Sequence, residues 1–312
     1  MRALVLGGCG FIGSHIVDAL LHDGHTVRVF DHFPEKQRQA LADVDYRFSD
    51  FSDISTLKES LQDIDVVFHS ISTSVPASSN ASPADDIQNN LTGSIRLLDA
   101  MRDTGVNKIV FLSSGGTVYG NPSTLPVPET HPLNPLCSYG VVKVAIEHYL
   151  FMYEQLYGLR SVILRPSNPY GPRQGKIGSQ GVISTFAHHL LHGEPITIWG
   201  DGKIIRDFFH VEDLARLCVT AAINKHTGIY NAGGGEGHSI LDILNTLAEI
   251  SGLSPDIQYL DARPFDIREV VLDIHKARST FEWEPRIGLN EGLSSYMDWL
   301  SDQTSQDKTH RG

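Results

Sequence analysis

Gly7-Gly8-Cys9-Gly10-Phe11-Ile12-Gly13 stands between the apolar run Ala3 to Leu6 and a helical stretch, Phe11 to Leu21. A short buried strand, a glycine-rich turn and a helix start, in that order, form the phosphate-binding unit of dinucleotide-binding folds. Glycines at 7, 10 and 13 allow a tight turn, a close approach of backbone to pyrophosphate and close helix–sheet packing. The helix N-terminus adds amide donors and partial positive charge. Gly7, Gly10, Phe11, Ile12 and Gly13 are therefore expected at a dinucleotide. Asp31 ends the next strand, Thr26 to Phe30, 18 residues beyond Gly13. A carboxylate there accepts from the adenosine ribose hydroxyls and repels a 2′-phosphate, which favours NAD over NADP. Asp50-Phe51 ends the following strand and either flanks the adenine or is a surface aspartate beside a core phenylalanine.

Outward from this turn, apolar strands (Asp45 to Phe48, Asp65 to His69, Lys108 to Leu112, Ser161 to Leu164) alternate with helical stretches (Ala84 to Met101, Ser138 to Tyr153). That rhythm predicts right-handed βαβ units in an α/β, doubly wound parallel sheet. It breaks at 166–180, rich in Pro, Gly, Ser and Asn. Mixed short elements follow: Val182 to His192, Ile196 to Trp199, Ser239 to Ser251, Ile257 to Leu260 and Leu289 to Leu300. The expected division is a dinucleotide domain over 1–165, joined by parts of 205–235. A smaller mixed α/β substrate lobe takes 166–204 and 236–302, and 303–312 is a polar tail.

The 312 residues carry 37 acidic and 25 basic side chains, a net charge of −12, which argues against a nucleic-acid-coating protein. No apolar run reaches membrane-spanning length. The glycine-rich start lacks the cleavage pattern of a signal peptide. Cys9, Cys137 and Cys218 are few and far apart, so a disulfide framework or zinc site is not expected, and a reducing, cytoplasmic location is. His188, His189 and His192 share helical spacing without acidic or cysteine partners, which reads as a solvated face; no metal is expected.

Tyr139 and Lys143 lie four residues apart, on one face of the helix predicted from Ser138. A phenol with a pKa near 10 is a poor base at neutral pH. A neighbouring ammonium and a nicotinium charge would favour the phenolate and make it usable. Ser113-Ser114 ends the preceding strand.

Together these features resemble the extended short-chain dehydrogenase/reductase family, specifically its nucleotide-sugar epimerases of the UDP-glucose 4-epimerase type. The resemblance runs from Arg2 to about Leu300. Asn90 to Ser94 resembles NVxGT, Ser113 to Gly120 resembles SSSATVYG, Leu164 to Pro172 resembles LRxxNxYGP, and Arg206 to Asp213 resembles RDFxHVxD. It implies a Rossmann sheet, bound NAD and a UDP-sugar substrate. It also implies a homodimer formed through the helices at Ala84 to Met101 and Ser138 to Tyr153. Tyr139 would be the base and Lys143 its tuner, holding the nicotinamide ribose. Ser70, Asn90, Ser113 and Pro166 would join the cofactor contacts. Asn168 and Val182 would touch substrate, Arg206 and Arg263 would clamp the diphosphate, and Asp266 would meet the ribose, although Phe265 replaces a glycine of that pattern.

Two departures stand out. The family's catalytic hydroxyl, four residues before the tyrosine of VYG, falls on Gly115; Thr117 and Ser114 are the nearest substitutes. HLAA has become His69-Ser70-Ile71-Ser72. Dehydratase and decarboxylase relatives place carboxylates where this chain has Gly115-Gly116-Thr117, which leaves redox-neutral 4-epimerisation. The alternatives are a net oxidoreductase of a nucleotide sugar and a catalytically silent NAD sensor. Val270 falls where the family's epimerases size the C2 substituent. A valine there makes UDP-N-acetylglucosamine and UDP-N-acetylgalactosamine the expected pair, with UDP-glucose and UDP-galactose as slower additional substrates; otherwise it is a core strand residue.

Overall fold

The computed structural model describes residues 1–36, 38–175, 181–263 and 267–309. Strands β1 (Arg2–Leu6), β2 (Thr26–Asp31), β3 (Val44–Phe48), β4 (Val66–His69), β5 (Lys108–Leu112) and β6 (Arg160–Pro166) follow the expected runs to within two residues. With Gly228–Ala232 they form a seven-stranded sheet in the order Gly228–Ala232, β6, β5, β4, β1, β2, β3, all parallel. Ala3, Leu4, Val5 and Leu6 have no exposed surface, the pattern of a central strand covered on both faces.

Helix α1 (Phe11–His22) covers one face through Ile16, Val17 and Leu20. Ile54–Ser60 (α2) and Pro83–Asp86 (α3) follow. Gly93–Thr104 (α4) and Ser138–Tyr157 (α5) cover the other face through Leu97, Met101, Ile146 and Leu150. The chain leaves β1 toward β2 on one side, and β4 pairs with β1 on the other. That reversal opens a crevice at the carboxyl ends of the strands, where ligands of such sheets bind.

The stretch expected as one helix from Ala84 to Met101 is interrupted. A wider π turn, Ile87–Thr92, separates α3 from α4. It carries Asn90 inward while Leu97, Leu98 and Met101 keep facing the sheet. Turns of this type recur at functional positions.

After β6 come β7 (Asn168–Tyr170), α6 (Val182–His192), β8 (Ile196–Trp199), β9 (Ile205–Arg206) and β10 (Phe208–His210). Helix α7 (Val211–Ile223) returns to pack on α1, delivering the strand Gly228–Ala232 to the sheet. Then α8 (Ile240–Ser251), α9 (His275–Phe281) and α10 (Leu289–Thr309) complete the chain. A separate apolar cluster of Ile183, Phe186, Leu190, Ile198, Leu244, Leu247 and Met297 holds α6, α8, β8 and α10 together as the second lobe. The segment expected as a polar tail from 303 is instead helical through Thr309.

Candidate active site

The glycine-rich turn is built as a cradle. Gly7 takes φ +79°, donates to Phe30 O at 2.9 Å, and its own carbonyl accepts from Gly10 N at 3.1 Å. A Cβ at Gly13 would stand 2.0 Å from that carbonyl, so only glycine lets α1 start against the turn. Gly10, the N-cap of α1, has no side-chain cap, which leaves first-turn amides for an anion. The Asp31 Oδ2 accepts from Cys9 N at 2.9 Å and Oδ1 from His32 N at 2.7 Å, which ties its carboxylate to the turn. Burial, with Asp31 beside it, pushes the Cys9 thiol up to about 12 and keeps it unreactive. These residues fit a dinucleotide with free ribose hydroxyls.

A cavity of about 740 Å³ runs from this turn into the second lobe. Of the residues expected at the cofactor, Gly7, Gly10, Phe11, Ile12, Gly13, Ser70, Ser113 and Pro166 line it. Asp31, Asp50, Phe51 and Asn90 do not line its wall. Asp50 Oδ1 instead accepts from Ser52 N at 2.8 Å, and Phe51 packs against Gly93 and the His69 ring. The Asn90 side chain is spent inside the protein, on Thr73 N at 2.9 Å and on Asp86 at 2.8 Å. Ser113 donates its hydroxyl to Glu147 at 2.5 Å, and Glu147 is paired with the buried Arg165.

Tyr139 and Lys143 project from the first turns of α5 into the same cavity. The Lys143 ammonium is 5% exposed, donates to Leu112 O at 2.8 Å and lies 5.5 Å from the Tyr139 ring centre. Burial drives its pKa down to about 8, against Asp86 and Glu147, which favour the charged form. Burial likewise drives the Tyr139 phenol up to about 12. The Ser114 hydroxyl opposes that shift, and Cys137 and Asp86 reinforce it. In the chain by itself, therefore, Lys143 does not bring the phenol down to a usable base, and the second positive charge named in the expectation is needed. Its ammonium is turned to a backbone carbonyl and the ring face, and desolvation wins.

Gly115 is forced by packing. A Cβ there would stand 2.5 Å from Leu272 Cδ1 and 2.8 Å from Arg165 O, leaving no room for a serine. Both substitutes reach the cavity. Thr117 Oγ1 is buried with no hydrogen-bond partner, while the Ser114 hydroxyl stands close enough to the Tyr139 phenol to favour its ionised form.

At the far end, Asn168 donates to Asp207 O at 3.0 Å and lines the wall with Val182, Arg206 and Arg263. The Arg263 guanidinium stacks 4.1 Å from the Trp199 ring centre. Asp266 lies outside the described residues. Val270 does not line the cavity: it is 3% exposed within the main core, in a strand paired with Arg206. The expectation that it sizes the sugar pocket is corrected. Sequence reasoning missed the wall Ser72, Ser74, Val75, Pro76 and Ala77, and also Trp199. A run of small and hydroxyl residues following a strand's carboxyl end was the available signal. His188 and His192 stack at 4.0 Å, and no metal-holding cluster exists among the described residues.

The model of the NAD dependent epimerase/dehydratase family matches residues 3–233. A putative UDP-glucose 4-epimerase of Methanocaldococcus jannaschii is 37% identical over 95% of this chain and 97% of its own. The UDP-glucose 4-epimerase of Thermotoga maritima, solved with UDP-glucose, superposes with TM-score 0.93 at 34% identity, covering 97% of this chain and all of that one. That of Thermus thermophilus, solved with NAD, gives TM-score 0.90 at 37% identity, covering 96% and 99%. With its glycine cradle and its tyrosine–lysine pair on one cavity wall, this chain belongs to the NAD dependent epimerase/dehydratase family.

Proposed function

We propose that the protein interconverts the C4 epimers of a UDP-hexose, UDP-glucose and UDP-galactose first among them. The observation that carries this reading is one cavity with an anion cradle and the Tyr139–Lys143 pair at one end and two arginines at the other. NAD, held by the turn and Asp31, supplies a hydride acceptor and donor when bound. Tyr139 takes the proton from the sugar 4-hydroxyl and later returns it. Its desolvation requires added positive charge to form the phenolate, which the Lys143 ammonium supplies and a bound oxidised nicotinamide would add to. Thr117 Oγ1, whose hydrogen bonds are unspent, bridges the sugar hydroxyl to the phenol. Arg206 and Arg263 keep the diphosphate in place with planar, permanently charged forks, so the 4-keto sugar turns over without leaving.

No carboxylate occupies 115–117, which supports epimerisation over elimination. With Val270 in the core, the N-acetylated sugars lose the residue that pointed to them and become a test arm. The test is conversion of UDP-glucose, UDP-galactose and their N-acetylated counterparts by the NAD-loaded protein, followed by NMR. Equilibration of the first pair without net NADH is expected. Stoichiometric NADH with an oxidised product would establish the oxidoreductase, and no turnover the silent sensor. We also propose a homodimer through α4 and α5, where Val141, Phe151 and Leu156 on α5 are more than half exposed. Sedimentation should give twice the chain mass, and Phe151→Glu should halve it.

A further inference from the structure

Asp86 is a buried carboxylate that the reaction above does not use, yet three segments meet on it. Its Oδ1 accepts from Ser74 Oγ at 2.7 Å and from Asn90 Nδ2 at 2.8 Å, and its Oδ2 accepts from Ser138 Oγ at 2.7 Å. It is 3% exposed, and no cation pairs with it among the described residues. Ser74 belongs to the cavity wall, Ser138 immediately precedes Tyr139, and Asn90 also grips Thr73 N. One side chain thus fastens the 72–77 wall, the π turn and the start of α5.

A charge is a costly staple. Burying a carboxylate outside any ion pair is unfavourable, and a neutral amide oxygen would serve two of these three donors. What the charge adds is a field on its neighbours. Lys143 has Asp86 and Glu147 as acidic neighbours and the buried His69, which burial keeps neutral, close by. Tyr139 faces Asp86, Cys137 and the hydroxyls of Ser114 and Ser72. Glu147 is paired with Arg165 at 2.5 Å, so among the described residues Asp86 is the carboxyl group beside the pair that is in no ion pair.

We propose that Asp86 is a positioning residue that docks the 72–77 wall onto the catalytic helix, and that its carboxyl group, held at the start of that helix by Ser138, acts electrostatically on the Tyr139–Lys143 pair. The proposal deepens the epimerase reading and rests on Tyr139 being the base. Asp86→Asn keeps shape and most hydrogen bonds but removes the charge; Asp86→Ala removes both. The first readout is phenolate absorbance of the NAD-loaded protein against pH, taken as the difference from the matching Tyr139→Phe protein, and it requires no turnover. Asp86→Asn should move half-ionisation of Tyr139 to lower pH by about one unit. The rise of kcat with pH should move with it. Asp86→Ala should show the same displacement and, with the wall released, a KM raised by about tenfold. Superimposable profiles for Asp86→Asn and the parent, or a shift to higher pH, would overturn the proposal, since a purely structural staple lowers rates without moving the titration. If the parent turns over no UDP-sugar, the epimerase reading fails, and the absorbance titration still decides the role of Asp86.

Discussion

The two ends of the cavity solve opposite problems. At the reacting end, Lys143 is buried and Tyr139 half-buried, and desolvation has moved both away from their ordinary pKa values. At the holding end, Arg206 is half-buried and Arg263 exposed, the latter stacked on Trp199. Chemistry needs groups whose protonation the surroundings can tip, and phenol and amine are such groups. Holding a diphosphate needs charge that survives any surroundings, and guanidinium supplies it. The difference predicts that damage at one end appears in kcat and damage at the other in KM.

The largest effect is expected at Tyr139. Tyr139→Phe should lower kcat by about 100-fold or more, the scale of general-base catalysis, with NAD binding kept. Near-normal turnover would remove Tyr139 from the base role. Next, Arg206→Ala or Arg263→Ala should lower kcat/KM by about 10- to 100-fold, the worth of a charged hydrogen bond, mostly through KM. A fall confined to kcat would erase the division between the ends. Thr117→Val should cost about tenfold in kcat with little change in KM, since its hydroxyl acts during proton transfer. If Ser114→Ala does this and Thr117→Val does not, the bridging role belongs to Ser114.

A smaller effect separates stability from activity. Lys143 has a pKa of about 8 in the folded chain against 10.5 when free. The folded state therefore disfavours the ammonium. That cost is carried in full below about pH 8 and relieved as pH rises toward 10.5. Lys143→Met should raise Tm at pH 7, the gain shrinking across that window, while abolishing activity. An equal gain at pH 7 and pH 10.5 would show that the buried charge is not what costs stability. Val270→Ala should cost about 1–3 kcal/mol of stability, through lost core packing, without altering the choice between sugars.

Legibility in the sequence followed local pattern rather than either end of the cavity. Strands such as Ala3 to Leu6 announce themselves because full burial demands an unbroken apolar run, and the turn after them because Gly7 and Gly13 have no substitute. Tyr139 and Lys143 reach the cavity by helical spacing alone. By contrast, Val270 was placed by counting along a pattern, and strand pairing with Arg206 turned it into the core. Asn90 was expected at the cofactor because a motif names it. The π turn, invisible to periodicity, commits its amide to Thr73 and Asp86 instead. The role of Gly115 was readable only as a missing hydroxyl. That Leu272, 157 residues later, fills the space is a tertiary fact.

The central claim is that the sugar is oxidised and re-reduced within one cavity, proton handling at Tyr139 and anchoring at the arginines. The most direct measurement follows UDP-glucose deuterated at C4 through the NAD-loaded protein to UDP-galactose. The account predicts that the deuterium is retained at C4 of the product, with no NADH released. Loss of the label to solvent, or its appearance in free NADH beside an oxidised sugar, would contradict it.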